Sequence, residues 1–175
     1  MNHNMKLIFL DIDGVMNHET WFISEECRGL KVADGESRNN KRWFNPRCVE
    51  LLNDLTDKTE AKIVVSSTWR LGKTVEQLQD LFSEVGVTGE VIDKTPRLLF
   101  TGVEDYSYSV PRGCEIKAWL KTNKGILNVK LSKVKYVIYD DDGDMLWWQR
   151  KNFLQVDPYS GLTPSLIHQG KQILL

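Results

Sequence analysis

Apolar residues fall in short blocks along the chain, and each block stops at a polar residue. Residues 6–11 read KLIFLD, a strand-length apolar run ending in Asp11. It lacks the alternation of a half-exposed strand, so it reads as a parallel strand buried on both faces. AKIVVS (61–66) repeats the form and stops at a hydroxyl, and EVI (90–92), KYVIYD (135–140) and FLQV (153–156) are further candidates. Between these blocks the period changes to that of a helix. Asn45-Pro46 opens one helix, with Asn as N-cap, Pro at the first helical position, and Val49, Leu51, Leu52 and Leu55 on its apolar face. Thr74-Val-Glu-Gln77 fits a capping box ahead of Leu78, Leu81, Phe82 and Val85. Residues 113–122 put Ile116, Trp119 and Leu120 on one side, and Thr163-Pro164 starts a last helix. Residues 16–44 read as a long irregular insertion, and 93–111 as a loop.

Strands alternating with helices predict an α/β fold, a mainly parallel five-stranded sheet with helices on both faces. No repeat, low-complexity tract or linker interrupts the pattern. A chain of 175 residues suits one domain, 1–175, with a full core.

Composition acts mainly by exclusion. With 41% hydrophobic and 27% charged residues the chain resembles an ordinary soluble domain. Its apolar runs are too short to span a bilayer, and no secretory signal precedes the first strand. Cys27, Cys48 and Cys114 are widely spaced and form no C-x-x-C, which argues against a disulfide scaffold or a zinc site. A cytoplasmic setting is expected, and no obligate protein partner is indicated. A net charge of −1 provides no global field for nucleic acid, so any such contact is local. His3, His18 and His168 fall outside every motif.

Candidate chemistry collects at strand ends. Asp11, Ser66 and Asp140 each close a strand, and open parallel sheets bind ligands at that edge. Asp11-Ile-Asp13-Gly14 and Asp140-Asp141-Asp142-Gly143-Asp144 crowd carboxylates that repel unless a cation neutralises them. Hard oxygen ligands without nearby His or Cys point to Mg²⁺. The second run is not an EF-hand loop, because Met145 stands where Gly is needed and Lys151 where Glu is needed. Ser67-x4-Gly72-Lys73-Thr74 resembles a Walker A loop without its first glycine, which would make the protein a P-loop-like NTP-dependent kinase. Against this, the bulky Trp69 would obstruct backbone amides wrapping a phosphate, and Asp11 and Asp13 would have no task. The remaining alternative is a non-catalytic module binding metal or nucleotide, although a degenerate site would normally have lost a carboxylate.

L-D-I-D-G-V (10–15), V-V-S (64–66) and V-I-Y-D-D (137–141) resemble, in order and spacing, the first, second and fourth motifs of the haloacid dehalogenase (HAD) superfamily. Arg112 in P-R-G-C-E-I is the first candidate for the third motif and Lys117 the second. S-S-T-W-R (66–70), E-I-K-A-W-L (115–120) and Q-V-D-P-Y-S-G-L-T (155–163) narrow the resemblance to the HAD domain of Swiss Army Knife RNA repair proteins. That domain is related to the phosphatase half of phage polynucleotide kinase-phosphatase.

The resemblance implies a Rossmann-like three-layer sandwich with a small cap or none, the insertion at about 16–44 standing in the cap's place. It implies a Mg²⁺-dependent phosphomonoesterase working through an aspartyl phosphate. Asp11 would be the nucleophile, and Asp13 the general acid and base, its carbonyl also on the metal. Ser66 would bind a phosphoryl oxygen, Arg112 would neutralise charge, and Asp140 and Asp141 would hold Mg²⁺ with Asp11. Ser67, Thr68, Arg70 and Lys117 are candidate substrate contacts. The phage relative's arginine falls two residues after the motif serine, at Thr68 here. Asp142 and Asp144 read as solvated turn residues. The expected substrate is a phosphorylated small molecule such as a nucleotide, or a polynucleotide end (3′-phosphatase-like). Arg28, Lys31, Arg38, Lys41, Arg42 and Arg47 bias the insertion toward positive charge, and Trp21 and Trp43 are candidates for stacking on bases.

Overall fold

The computed structural model describes residues 5–30, 40–101, 107–123 and 133–175. Five parallel strands form its central sheet: β1 (Met5–Leu10), β2 (Lys62–Val65), β3 (Val91–Lys94), β6 (Val134–Asp140) and β7 (Phe153–Gln155), in the order β3-β2-β1-β6-β7. β1 lies at the centre, with Leu10 paired to Val65 on one side and Tyr139 on the other. Its alternate residues serve two cores. Ile8 and Leu10 join Ile63, Val65, Val137 and Tyr139 on one face, under α3 (Pro46–Thr59), α4 (Val75–Glu84) and α6 (Pro164–Leu174). Leu7 and Phe9 join Val64 and Ile138 on the other, under Ile116, Trp119 and Leu120 of α5 (Arg112–Thr122). A strand buried on both faces needs a continuous apolar run, which is why KLIFL shows no alternation. The result is the α/β Rossmann-like arrangement expected.

Local chemistry starts the helices. Asn45 caps α3 ahead of Pro46, Thr163 caps α6 ahead of Pro164, and Thr74 and Gln77 complete a reciprocal capping box on α4. Among the described residues no helix is long and apolar enough to cross a membrane.

Two regions differ from expectation. The stretch 93–111 carries a hairpin, β4 (Leu99–Thr101) antiparallel to β5 (Ser107–Ser109), where a loop is expected. The first part of the insertion is helical, with α1 (Glu19–Phe22) and α2 (Glu25–Gly29) capped by the side chains of His18 and Ser24. Trp21, expected as a stacking surface, is 4% exposed and donates its indole N–H to the Arg42 carbonyl, so it plugs the insertion's own small core. Trp43 remains 39% exposed. Lys31 and Arg38 lie outside the described residues.

Candidate active site

The carboxyl ends of β2, β1 and β6 lie side by side, and the chain continues each pairing past the last strand residue. The Asp11 amide donates to the Tyr139 carbonyl at 3.0 Å, and the Ser66 amide to the Leu10 carbonyl at 2.9 Å. This brings Asp11, Ser66, Ser67 and Asp140 to one edge, all buried. Asp141 reaches the same place because the motif I turn gives way to it. Gly14 has φ +71°, and a Cβ there would stand 2.5 Å from Asp141 Oδ2. Only glycine meets both demands. Asp11, Asp140 and Asp141 thereby each offer a carboxylate oxygen within 4.8 Å of the others.

The electrostatics match an acidic site short of positive charge. Burial pushes the Asp11 carboxyl up to about 6, against the opposing pulls of a hydrogen bond from Ser67 and of Arg112. Burial, reinforced by the Asp11 charge, pushes Asp140 up to about 8. Among the described residues Asp140 Oδ2 is buried without a hydrogen bond, and Arg112 Nε stands 3.6 Å from it. A buried carboxylate oxygen with an open lone pair, in a set of hard oxygen donors, suits a small divalent cation.

Arg112 opens α5 and is held over this cluster. Its amide donates to Asp144 Oδ2 at 2.7 Å, and its Nη1 to Glu115 Oε2 at 3.2 Å. Lys117 points elsewhere, its ammonium 5.1 Å from the Trp148 ring centroid. The structure therefore sets Arg112 beside the carboxylates and Lys117 apart from them.

Asp13 sits at the exposed rim, with both carboxylate oxygens held. Asn17 Nδ2 donates to one at 3.0 Å, and the Trp69 indole N–H donates to the other at 2.9 Å. Ser67 faces Asp11, whereas Ser66 Oγ is buried with no hydrogen-bond partner among the described residues. Thr68 lines a cavity of about 400 Å³ at the rim, together with Leu71, Arg97, Ser109, Arg112 and Asp142.

Arg70 also borders this cavity, but its donors are already engaged. It is 3% exposed, and its guanidinium donates to the carbonyls of Thr95, Ser66, Ser67 and Pro96 and to Glu115 Oε2 at 2.6 Å. Five N–H donors meet five acceptors, which leaves none for a phosphate. It is the internal brace of the 66–71 turn. The same brace answers the Walker-like reading. The loop turns the Ser66 and Ser67 carbonyls inward to Arg70, and Thr74 spends its hydroxyl capping α4. Glu115, Trp69, Asn17 and Arg97 were not legible as site residues. Only Glu115 left a signal, its i,i+3 spacing from Arg112.

The model of the family described as HAD domain in Swiss Army Knife RNA repair proteins matches residues 7–167. Comparison with curated proteins and with solved structures finds no match.

Proposed function

This chain belongs to the family of HAD domains in Swiss Army Knife RNA repair proteins and is thus a HAD-type phosphatase, and from that premise we propose that it hydrolyses phosphomonoesters through a phosphorylated Asp11, with Mg²⁺ as cofactor. The convergence of the Asp11, Asp140 and Asp141 carboxylates beside Arg112 carries the reading. Those three carboxylates and the Asp13 carbonyl would hold Mg²⁺. Bound there, the ion supplies the positive charge that lets an anionic carboxylate approach an anionic phosphoryl group.

The steps follow from the residues. The Asp11 carboxylate attacks phosphorus and the ester P–O bond breaks. Asp13 gives its proton to the departing oxygen, then takes one from the water that attacks the aspartyl phosphate, releasing inorganic phosphate and restoring Asp11. Arg112 and the hydroxyls of Ser66 and Ser67 steady the phosphoryl oxygens, and positioning with charge neutralisation is most of what phosphoryl transfer asks of a protein. An aryl phosphate should be hydrolysed in Mg²⁺ and spared in EDTA. Equal rates in the two would remove the metal from the reading.

The substrate we infer is a nucleotide or a polynucleotide end, of the 3′-phosphate kind. The family description supports the nucleic-acid class. The open rim cavity, with Arg97 on its wall, supports a substrate larger than the phosphoryl group alone.

The held carboxylate of Asp13 yields a second prediction. A proton donor matters most when the leaving group is poor. Asp13→Asn should therefore slow alkyl phosphates far more than aryl phosphates. Trp69→Phe removes the indole N–H but keeps a ring for the edge contacts with Phe44 and Trp43. It should show the same leaving-group bias at roughly tenfold, the scale of one lost hydrogen bond to a charged group. Equal losses on both substrate classes would refute the general-acid role.

A further inference from the structure

Two adjacent tryptophans, Trp147 and Trp148, are 75% and 56% exposed on the 3₁₀ helix that follows the Asp140–Asp144 loop. Leaving two indoles in water forgoes the burial that normally places tryptophan inside, so their position calls for a partner. Each carries a cation on its ring: the Arg150 guanidinium carbon lies 4.5 Å from the Trp147 centroid, and Lys117 Nζ lies 5.1 Å from that of Trp148. Neither cation makes an ion pair among the described residues, so both charges remain available. Beside Trp148 opens a cleft of about 240 Å³ lined by Lys117, Leu120, Lys121, Tyr136 and Gln149, with no carboxylate among the described lining residues. The platform is anchored. Buried Gln149 donates to the Gly113 carbonyl at 3.0 Å and accepts from the Leu146 amide at 2.8 Å, tying the tryptophan helix to the start of α5.

We propose that Trp147, Trp148 and the adjoining cleft form a binding site for single-stranded nucleic acid, separate from the phosphoryl site. Bases stack on the open indole faces, and Arg150, Lys117 and Lys121 take the backbone phosphates. Flat aromatic faces interleaved with unpaired cations are what a sequence-independent single strand requires. A protein partner fits less well, because lysine is depleted in the buried centres of protein interfaces. Lys117 lies five residues along α5 from Arg112, about 7.5 Å at the rise of a helix. A strand on this platform can thus run toward the catalytic edge. The inference draws on the polynucleotide-end reading for the identity of the strand that docks, but binding requires no catalysis.

The test uses the full chain in EDTA and a dye-labelled single strand of about twelve nucleotides with hydroxyl ends, in ribo and deoxyribo forms, a length within the usual site sizes. The wild type should bind at low salt and release as salt rises. Trp147→Ala/Trp148→Ala should weaken binding at least tenfold while leaving aryl phosphate hydrolysis in Mg²⁺ unchanged; both side chains are exposed, so the core is untouched. Trp147→Phe/Trp148→Phe should retain most of the affinity. Arg150→Gln should make the salt dependence shallower by about one phosphate contact. No binding by the wild type, or equal binding by the alanine double variant, overturns the proposal. So does a wild-type dimer that the double variant converts to monomer without loss of oligonucleotide affinity, since the patch would then be a self-association surface. If strand binding depends on the tryptophans but no phosphate ester is hydrolysed, this site stands and the proposed activity falls.

Discussion

Asp11→Asn should abolish turnover, by on the order of 10⁴-fold or more, the scale on which removing a nucleophile acts, while the protein folds and, without metal, melts higher than the wild type. The amide keeps the shape of the side chain but has no charge with which to attack phosphorus. The stability gain follows from burial. The Asp11 carboxyl rises from 3.8 to about 6 because the folded site penalises its charged form. A carboxyl raised on folding binds more protons in the folded chain than in the unfolded one, so stability falls as pH rises. The loss begins near 3.8 and is complete above about 6; Asp140 extends the same trend to about 8. Asparagine escapes the Asp11 share. In EDTA at pH 8 the variant should melt a few degrees above the wild type, the size of about 1 kcal/mol in a chain of this length. The gap should close toward pH 4. Added Mg²⁺ should stabilise the wild type more than the variant and reverse the order. A well-folded Asp11→Asn protein with near-wild-type rate would show that another group attacks phosphorus.

The parts of this site legible in the sequence are those set by local chemistry. Asp11 and Asp140 announce themselves because an apolar run must end where a buried strand ends, and each run ends in an acid. α3 and α4 are legible from their caps, which act over three residues. What stays hidden depends on long-range contacts. Trp69 reaches Asp13 across 56 residues, and Arg70 reaches Glu115 across 45, so neither pairing leaves a local trace. Trp21 and Trp43 are chemically alike in the sequence, yet one plugs a core and the other stays partly open. The hairpin β4–β5 escapes because strands of three residues are too short to establish an alternation.

Two arginines share one buried carboxylate, and their substitutions should fail in opposite ways. Glu115 Oε2 accepts from Arg70 at 2.6 Å and from Arg112 at 3.2 Å, while its Oε1 accepts the Leu98 amide at 3.0 Å. Arg70 is walled in, so Arg70→Ala strands four carbonyls and leaves Glu115 with a weakened counter-charge. Breaking a buried pair from one side costs about 3–5 kcal/mol, which should lower the melting temperature by roughly 10 °C in a chain of this size. The fraction still folded should keep most of its activity toward an aryl phosphate, because the carboxylate cluster and the Arg112–Asp140 pair beside it do not involve Arg70. The Arg112 side chain is 17% exposed against 3% for Arg70 and makes longer contacts to Glu115 and Asp140, so Arg112→Ala should lower the melting temperature less than Arg70→Ala does. Its larger cost falls on the transition state, where the phosphoryl oxygens lose the guanidinium that meets their charge. A loss of kcat on the order of 10²–10³-fold is the scale of one preorganised donor. Orthovanadate, which imitates five-coordinate phosphorus, should bind correspondingly more weakly. Lys117→Ala, acting at the Trp148 cleft, should barely alter aryl phosphate hydrolysis. If Arg70→Ala instead melts like the wild type and loses turnover, its guanidinium leaves the brace to meet substrate; if Lys117→Ala is crippled and Arg112→Ala is not, the charge-neutralising role passes to Lys117.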